Sequence, residues 1–330
     1  MIAVVGAGAI GCYVGGRLAA AGADVVLVGR ERLATEVRTY GLRLTDLHGA
    51  DLRVEDPAFV TDIAAVADAD LVLVTVKSAA TPEIAAELAP VLKQGAVVIS
   101  LQNGLRNARI LADALGVPVL AGMVPFNVVH RREGAFHQGS EGSLEVAADA
   151  RLEPHASAFA AAGLALVRRS DMDSVLWAKL LLNLNNAINA LSGLPLKEEL
   201  GQRAYRTCLS LAQAEALGLM KVAGIHPAKL TPLPPHWIPA LLRVPDPVFR
   251  RLASSMLEID PIARSSMADD LELGRVTEID FINGEVIRLA EESGRPAPVN
   301  ARLVALIRDA EAGGRRGWSG PDLLAELGRA

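Results

Sequence analysis

The sequence predicts an α/β fold in two parts: a doubly wound parallel sheet over residues 1–169, then an all-helical domain over residues 170–330. Three observations predict it. Short apolar, β-branched runs alternate with helical patterns through the first half. A glycine-spaced turn joins the first strand to the first helix. Near Ser170 the strand signal stops and helical periodicity takes over.

In chain order, Ile2–Val5 is the first strand. Gly6-Ala7-Gly8-Ala9-Ile10-Gly11 follows, then a small-residue helix to about Ala21, and Asp24–Val28 is a second buried strand. Strand, turn, helix, strand is the context in which G-x-G-x-x-G binds a dinucleotide. Gly6 permits the tight turn, Gly8 lets backbone N–H groups approach a pyrophosphate, and Gly11 lets the helix pack on the strand. The helix N-terminus adds partial positive charge for the phosphates. The first domain is therefore expected to be Rossmann-type. The second strand ends Val28-Gly29-Arg30, and a guanidinium there suits a 2′-phosphate, which favours NADP(H) over NAD(H). Glu31 would instead accept from the ribose hydroxyls if the strand ran one residue further.

Beyond Arg30, a short helix covers Glu31–Thr39, strands are expected at Gly41–Leu47 and Asp51–Val54, and Asp56–Ala69 reads as a loop with a short helix. Leu71–Val76 is a continuous apolar run, as in a central parallel strand buried on both faces. A helix over Thr81–Leu92 precedes another buried strand, Ala96–Leu101, and a helix at Arg106–Leu115. Val117–Val129 is extended, and Ala135–Gln138 with Ser143–Ala147 reads as a hairpin around Gly139–Gly142. A helix at Pro154–Ala162 and a strand at Ala165–Val167 close this half.

The second half opens with one long helix, Asp171–Leu191, followed by a helix over Gln202–Leu219 that ends near Gly218. The proline-rich stretch Pro227–Pro247 cannot be a regular helix and reads as an ordered loop. Helical patterns return at Val248–Leu257, Met267–Ala290, Ala301–Ala312 and Pro321–Leu327.

Composition narrows the function classes. At 330 residues and net charge −5, with no long basic run, the chain is not expected to bind nucleic acid. No apolar run reaches membrane-spanning length, and Met1 leads straight into a strand with no room for a signal peptide. Two cysteines make neither a disulfide framework nor a metal motif, and the six histidines have no zinc spacing, so no metal is expected and a reducing cytoplasm is the default location. There is no G-x-S-x-G motif of a serine hydrolase. The apolar helical half is a candidate homodimer face.

Polar groups stand at the carboxyl ends of two central strands, the edge where open parallel sheets bind ligands. Lys77 follows Leu71–Val76, flanked by Thr75 and Ser78, and Asn103 lies in Gln102-Asn103-Gly104. In the long helix, Lys179, Asn183 and Asn186 fall on one face at i, i+4 and i+7 between leucines, which reads as the wall of a polar cleft. A lysine there needs a partner or a lowered pKa. Glu278, between Val276 and Ile279 of the stretch, reads either as inward-facing or as a surface carboxylate.

Taken together, Gly6–Gly11, Arg30, Thr75–Lys77, Gln102–Gly104, Trp177–Asn183 and Ser265–Gly284 resemble the ketopantoate reductase family over nearly the whole chain. The resemblance implies NADPH-dependent reduction of 2-dehydropantoate, a step toward coenzyme A, with Lys179 as general acid and Glu278 on the substrate. It implies that Asn103 lies between nicotinamide and substrate and that Lys77 lines the same pocket. Asn183, Asn186 and Ser266 would help hold a small 2-keto acid. Three departures from the family pattern fall in the substrate pocket: the spacing to Asn186, Ala263, and Leu196 after Pro195. Rival readings are reduction of another 2-keto acid, or an NADP(H)-binding regulator without turnover.

Overall fold

The computed structural model describes residues 1–252 and 263–329, and the chain divides into two compact units, Met1–Met172 and Asp173–Ala330. The first unit holds twelve short strands: β1 (Ile2–Val5), β2 (Val25–Val28), β3 (Leu42–Thr45), β4 (Asp51–Val54), β5 (Ala58–Val60), β6 (Leu71–Val74), β7 (Val97–Ser100), β8 (Val119–Met123), β9 (Val128–His130), β10 (Ala135–Gln138), β11 (Glu145–Ala147) and β12 (Val167–Arg169). Its helices are α1 (Ala9–Ala20), α2 (Glu31–Tyr40), α3 (Thr81–Leu88), α4 (Asn107–Leu115) and α5 (Glu153–Ala161). Eight strands form one sheet in the order β12-β11-β8-β7-β6-β1-β2-β5, and the other four form a second in the order β4-β3-β10-β9.

The strands β1, β2, β6 and β7 are buried along their whole length and apolar except at Ser100, because both of their faces are covered. Alternate residues feed two cores. Val4, Leu27, Leu73 and Ile99 belong to one, and Val5, Val28, Val74 and Val98 to the other. The chain goes from β1 to β2 on one side and returns to β6 on the other, so the topological switch point lies at β1. Register fixes what meets there. Val5 pairs with Val28 and Val74, and Val74 pairs with Ser100, so the residues that follow each strand emerge along one edge.

The second unit is helical: α6 (Met172–Asn183), α7 (Asn185–Ser192), α8 (Leu196–Leu200), α9 (Arg203–Val222), α10 (Ile238–Leu242), α11 (Asp246–Leu252), α12 (Ser266–Glu272), α13 (Ile279–Glu292), α14 (Pro298–Glu311) and α15 (Gly320–Leu327). The proline-rich stretch is ordered around Arg206, which is fully buried. Its guanidinium donates to the carbonyls of Leu200, Leu242 and Val244, pairs with Asp246 and stacks on Phe249. Among the described residues, no helix is long and apolar enough to cross a membrane.

Three expectations are corrected, and a fourth extends beyond the described residues. Ala135–Gln138 and Glu145–Ala147 are not a hairpin: β10 pairs with β3 and β9, while β11 pairs with β8 and β12 in the other sheet. The Asp56–Ala69 loop contains an edge strand, β5, parallel to β2. The helix of Asp171–Leu191 is broken at Leu184. Of the helix expected at Val248–Leu257, residues up to Leu252 belong to α11, and the remainder lies outside the described residues.

Candidate active site

In the first unit, the shared strand edge carries the glycine loop, Arg30, Lys77 and Asn103. The loop is tied down from both neighbouring strands. The N–H groups of Gly6 and Ala7 both donate to the Val28 carbonyl at 2.9 Å, and the Thr75 hydroxyl donates to the Gly6 carbonyl at 2.8 Å. Gly6 has φ +96°, and a β-carbon there would lie 2.5 Å from the Val76 nitrogen, so only glycine makes this turn. At Gly11 a β-carbon would strike Thr75 Oγ1 at 2.6 Å. Gly8 is different: a β-carbon would meet nothing closer than the Gly6 carbonyl at 3.8 Å, and it heads α1 with no side-chain cap. A tight loop, an uncapped helix N-terminus and open space before it fit a pyrophosphate, with Gly6, Ala7, Gly8, Ala9, Ile10 and Gly11 as its cradle.

Arg30 is exposed and is the N-cap residue of α2, two residues past the end of β2. The rival residue is already engaged, because the Glu31 carboxylate accepts from the Arg38 guanidinium at 2.9 Å and from the Thr35 hydroxyl at 3.2 Å. Lys77 is exposed beyond β6, and Asn103 is half-buried beyond β7.

In the second unit, Lys179 and Asn183 sit four residues apart on α6. Around the lysine Val175, Leu176, Ala178, Leu180 and Leu181 are buried. The side chain as a whole keeps some exposure, but desolvation of its amine lowers the pKa to about 8. Asn186 lies on α7, past the break, so the three residues do not share one helix as expected. Its carbonyl accepts from Ser265 Oγ at 3.3 Å. Ser265 is buried and caps α12, accepting from the Ala268 N–H, and Ser266 opens that helix on the exposed side. Glu278 is half-buried at the N-cap position of α13. Among the described residues, no three of His, Cys, Asp and Glu are grouped to hold a metal.

A cluster that the sequence reading missed lies beneath Asn186. Glu199 of α8 is fully buried and accepts from the side-chain amides of Asn185 and Asn189, each at 3.1 Å. Asn189 in turn accepts from the Ser265 N–H at 2.9 Å and donates to the Leu194 carbonyl at 2.9 Å. These bonds join α7, α8, α12 and the 193–196 loop. The signal was the run of asparagines among apolar residues; Glu199, within Lys197-Glu198-Glu199, carried none.

Burial raises the Glu199 carboxyl from its ordinary 4.5 to about 8 against the pull of the two amides. Glu199 Oε1 is buried without a donor to satisfy it among the described residues, an environment that disfavours the charged carboxylate. The folded state thus holds a proton that the unfolded chain releases above pH 4.5. This stabilisation is complete below 4.5 and is lost as pH rises through about 8. Glu199→Gln keeps the acceptor for both asparagines and has no proton to lose. Thermal unfolding between pH 5 and pH 8 should show a smaller fall in midpoint for the variant than for the native protein; equal slopes would exclude a neutral Glu199.

Comparison with known proteins assigns both halves to one family. Residues 2–151 match the family model "Ketopantoate reductase PanE/ApbA" and residues 171–311 match its C-terminal counterpart. The chain belongs to the ketopantoate reductase family. It is an oxidoreductase. A 2-dehydropantoate 2-reductase of Halobacterium salinarum is 30% identical, the alignment covering 95% of this chain and 99% of the relative. The crystal structure of a PanE/ApbA family ketopantoate reductase from Ralstonia eutropha superposes with a TM-score of 0.81 at 32% identity, covering 95% of this chain and 99% of that one. A ternary structure of D-mandelate dehydrogenase with NADH and anilino(oxo)acetate has a TM-score of 0.77 at 20% identity, covering 95% and 99%, a likeness of fold.

Proposed function

We propose that this family member reduces 2-dehydropantoate to pantoate, a coenzyme A precursor, using NADPH. The observation that carries the reading is Lys179, a desolvated lysine on a buried helix whose pKa is drawn down to about 8. The glycine loop and the α1 N-terminus hold the pyrophosphate, and Arg30 pairs with the 2′-phosphate. When bound, the reduced nicotinamide supplies the hydride, which the protein itself cannot.

Hydride addition to the C2 carbonyl turns its oxygen into an alkoxide. The Lys179 ammonium hydrogen-bonds that oxygen, stabilises the developing charge and gives up its proton as the C2–H bond forms. At neutral pH a lysine with pKa near 8 is still mostly protonated, yet releases the proton more readily than one near 10.5. Lys77 and Asn103 line the reaction pocket, Asn183, Asn186 and Ser266 hold the carboxylate or hydroxyl of the keto acid, and Glu278 contacts its hydroxyl.

One observation favours a second substrate reading. Two of the departures from the family pattern meet in space, the Leu196 N–H donating to the Ala263 carbonyl at 2.9 Å. Neither residue carries a polar side chain to meet a substrate hydroxyl, which would suit a keto acid with fewer hydroxyls. NADPH consumption with 2-dehydropantoate and with a panel of branched and aromatic 2-keto acids separates the readings. The highest kcat/KM is expected for 2-dehydropantoate. A higher value for another keto acid would replace the substrate and keep the chemistry. No turnover on any of them, with NADPH still bound, would reject the enzyme reading.

A further inference from the structure

The loops that end β6 and β7 are joined by five buried, uncharged side chains whose hydrogen bonds form one directed path. Ser100 Oγ donates to Gln102 Oε1 at 2.9 Å, and Gln102 Nε2 donates to Thr81 Oγ1 at 2.7 Å. Thr81 Oγ1 donates to Asn107 Oδ1 at 2.8 Å, and Asn107 Nδ2 donates to Ser78 Oγ at 3.0 Å. The path ends on one atom: the Asn103 carbonyl accepts from Ser78 Oγ at 2.9 Å and from Asn107 Nδ2 at 2.6 Å. Ser78, Thr81, Ser100, Gln102 and Asn107 are each at most 7% exposed.

Apolar packing would stabilise a core here at least as well. What a satisfied polar network adds is a single geometry. Both groups held at its end matter to the proposed reaction. The Asn103 peptide leads into Gly104 at φ +89°, so fixing its carbonyl fixes the turn that presents the Asn103 side chain. Ser78 immediately follows Lys77. We propose that Thr81 and Asn107 are positioning residues that set Asn103 and Lys77 in register, so that the two strand-end loops act as one part. The inference rests on the reductase reading for its catalytic consequence and on the hydrogen-bond path for its structural one.

Thr81 is the node to break. Thr81→Val keeps the shape of the side chain and leaves Gln102 Nε2 and Asn107 Oδ1 without their partner; Thr81→Ser keeps the hydroxyl. Ser78→Ala removes one of the two bonds to the Asn103 carbonyl and serves if the valine variant does not fold. In Thr81→Val, kcat with the best keto acid should fall about tenfold or more, since small displacements of a reacting group are costly. KM for NADPH should hold, because the glycine loop lies outside the path. Thr81→Ser should restore kcat, and Ser78→Ala should show a smaller fall.

Hydrogen exchange on the ligand-free protein gives a readout that does not depend on turnover. Exchange over residues 102–106 should rise in Thr81→Val and in Ser78→Ala, with residues 6–11 unchanged. Native protein that turns over no keto acid, together with this exchange pattern, would uphold the coupling and reject the reductase reading. A folded Thr81→Val, or a folded Ser78→Ala if the valine variant fails, with kcat unchanged in an active enzyme would overturn the proposal, as would unchanged exchange over residues 102–106.

Discussion

Lys179→Ala is expected to slow reduction of 2-dehydropantoate by about 100- to 10,000-fold, the range that a positioned proton donor contributes. Without the ammonium, the alkoxide that follows hydride addition loses its proposed proton donor and the positive charge that donor brings. NADPH affinity should stay close to native, because the cofactor cradle belongs to the glycine loop and Arg30. The fold should also survive. A buried cation is costly to keep, so removing its charge does not remove a stabilising ion pair. Lys179→Met, which fills more of the space, separates lost chemistry from lost packing. Steady-state kinetics with a cofactor-binding titration reads all three quantities, and an alanine variant within a few-fold of native turnover would take the acid role away from Lys179.

The second large effect is expected at Arg30. A guanidinium paired with a phosphate is worth about 1.5–3 kcal/mol, which is roughly a 10- to 150-fold change in affinity. Arg30→Ala should weaken NADPH by that order and leave NADH nearly unaffected, narrowing the difference between the two cofactors. The Glu31 side chain bears on this. Its ties to Arg38 and Thr35 draw it along α2, away from the role of ribose acceptor. Fluorescence titration of native protein and variant with each cofactor, at fixed ionic strength, makes the comparison. Equal losses for NADPH and NADH would mean that Arg30 does not read the 2′-phosphate.

The parts of this molecule that sequence made legible are those whose physics is local. Gly6, Gly8 and Gly11 announce a backbone path, and the apolar runs of β1, β2, β6 and β7, broken only by Ser100, announce burial on both faces. Strand ends then follow from the runs, which is why Arg30, Lys77 and Asn103 could be assigned to one edge. What stayed hidden depends on distant partners. Residues 139–142, among the six between β10 and β11, read as a hairpin turn, yet the pairing of each strand is decided by β3, β8, β9 and β12. Ala58-Phe59-Val60 is too short to signal a strand and becomes one only by lying against β2. The break at Leu184 has no local breaker in the sequence, and the bonds that Asn185 and Asn189, just past it, make to Glu199 reach across to α8. The same holds for Thr81 and Asn107, which look like ordinary helix-start residues until the β6 and β7 loops are brought together.

The most direct measurement is the pH dependence of kcat/KM for keto-acid reduction, which reports the ionisation of the free enzyme's essential acid. With Lys179 as donor, kcat/KM should be level through neutral pH and fall about tenfold per unit above pH 8, and the residual activity of Lys179→Ala should lack that limb. A native profile that stays flat beyond pH 9, or an alanine variant that keeps the same descending limb, would contradict the account.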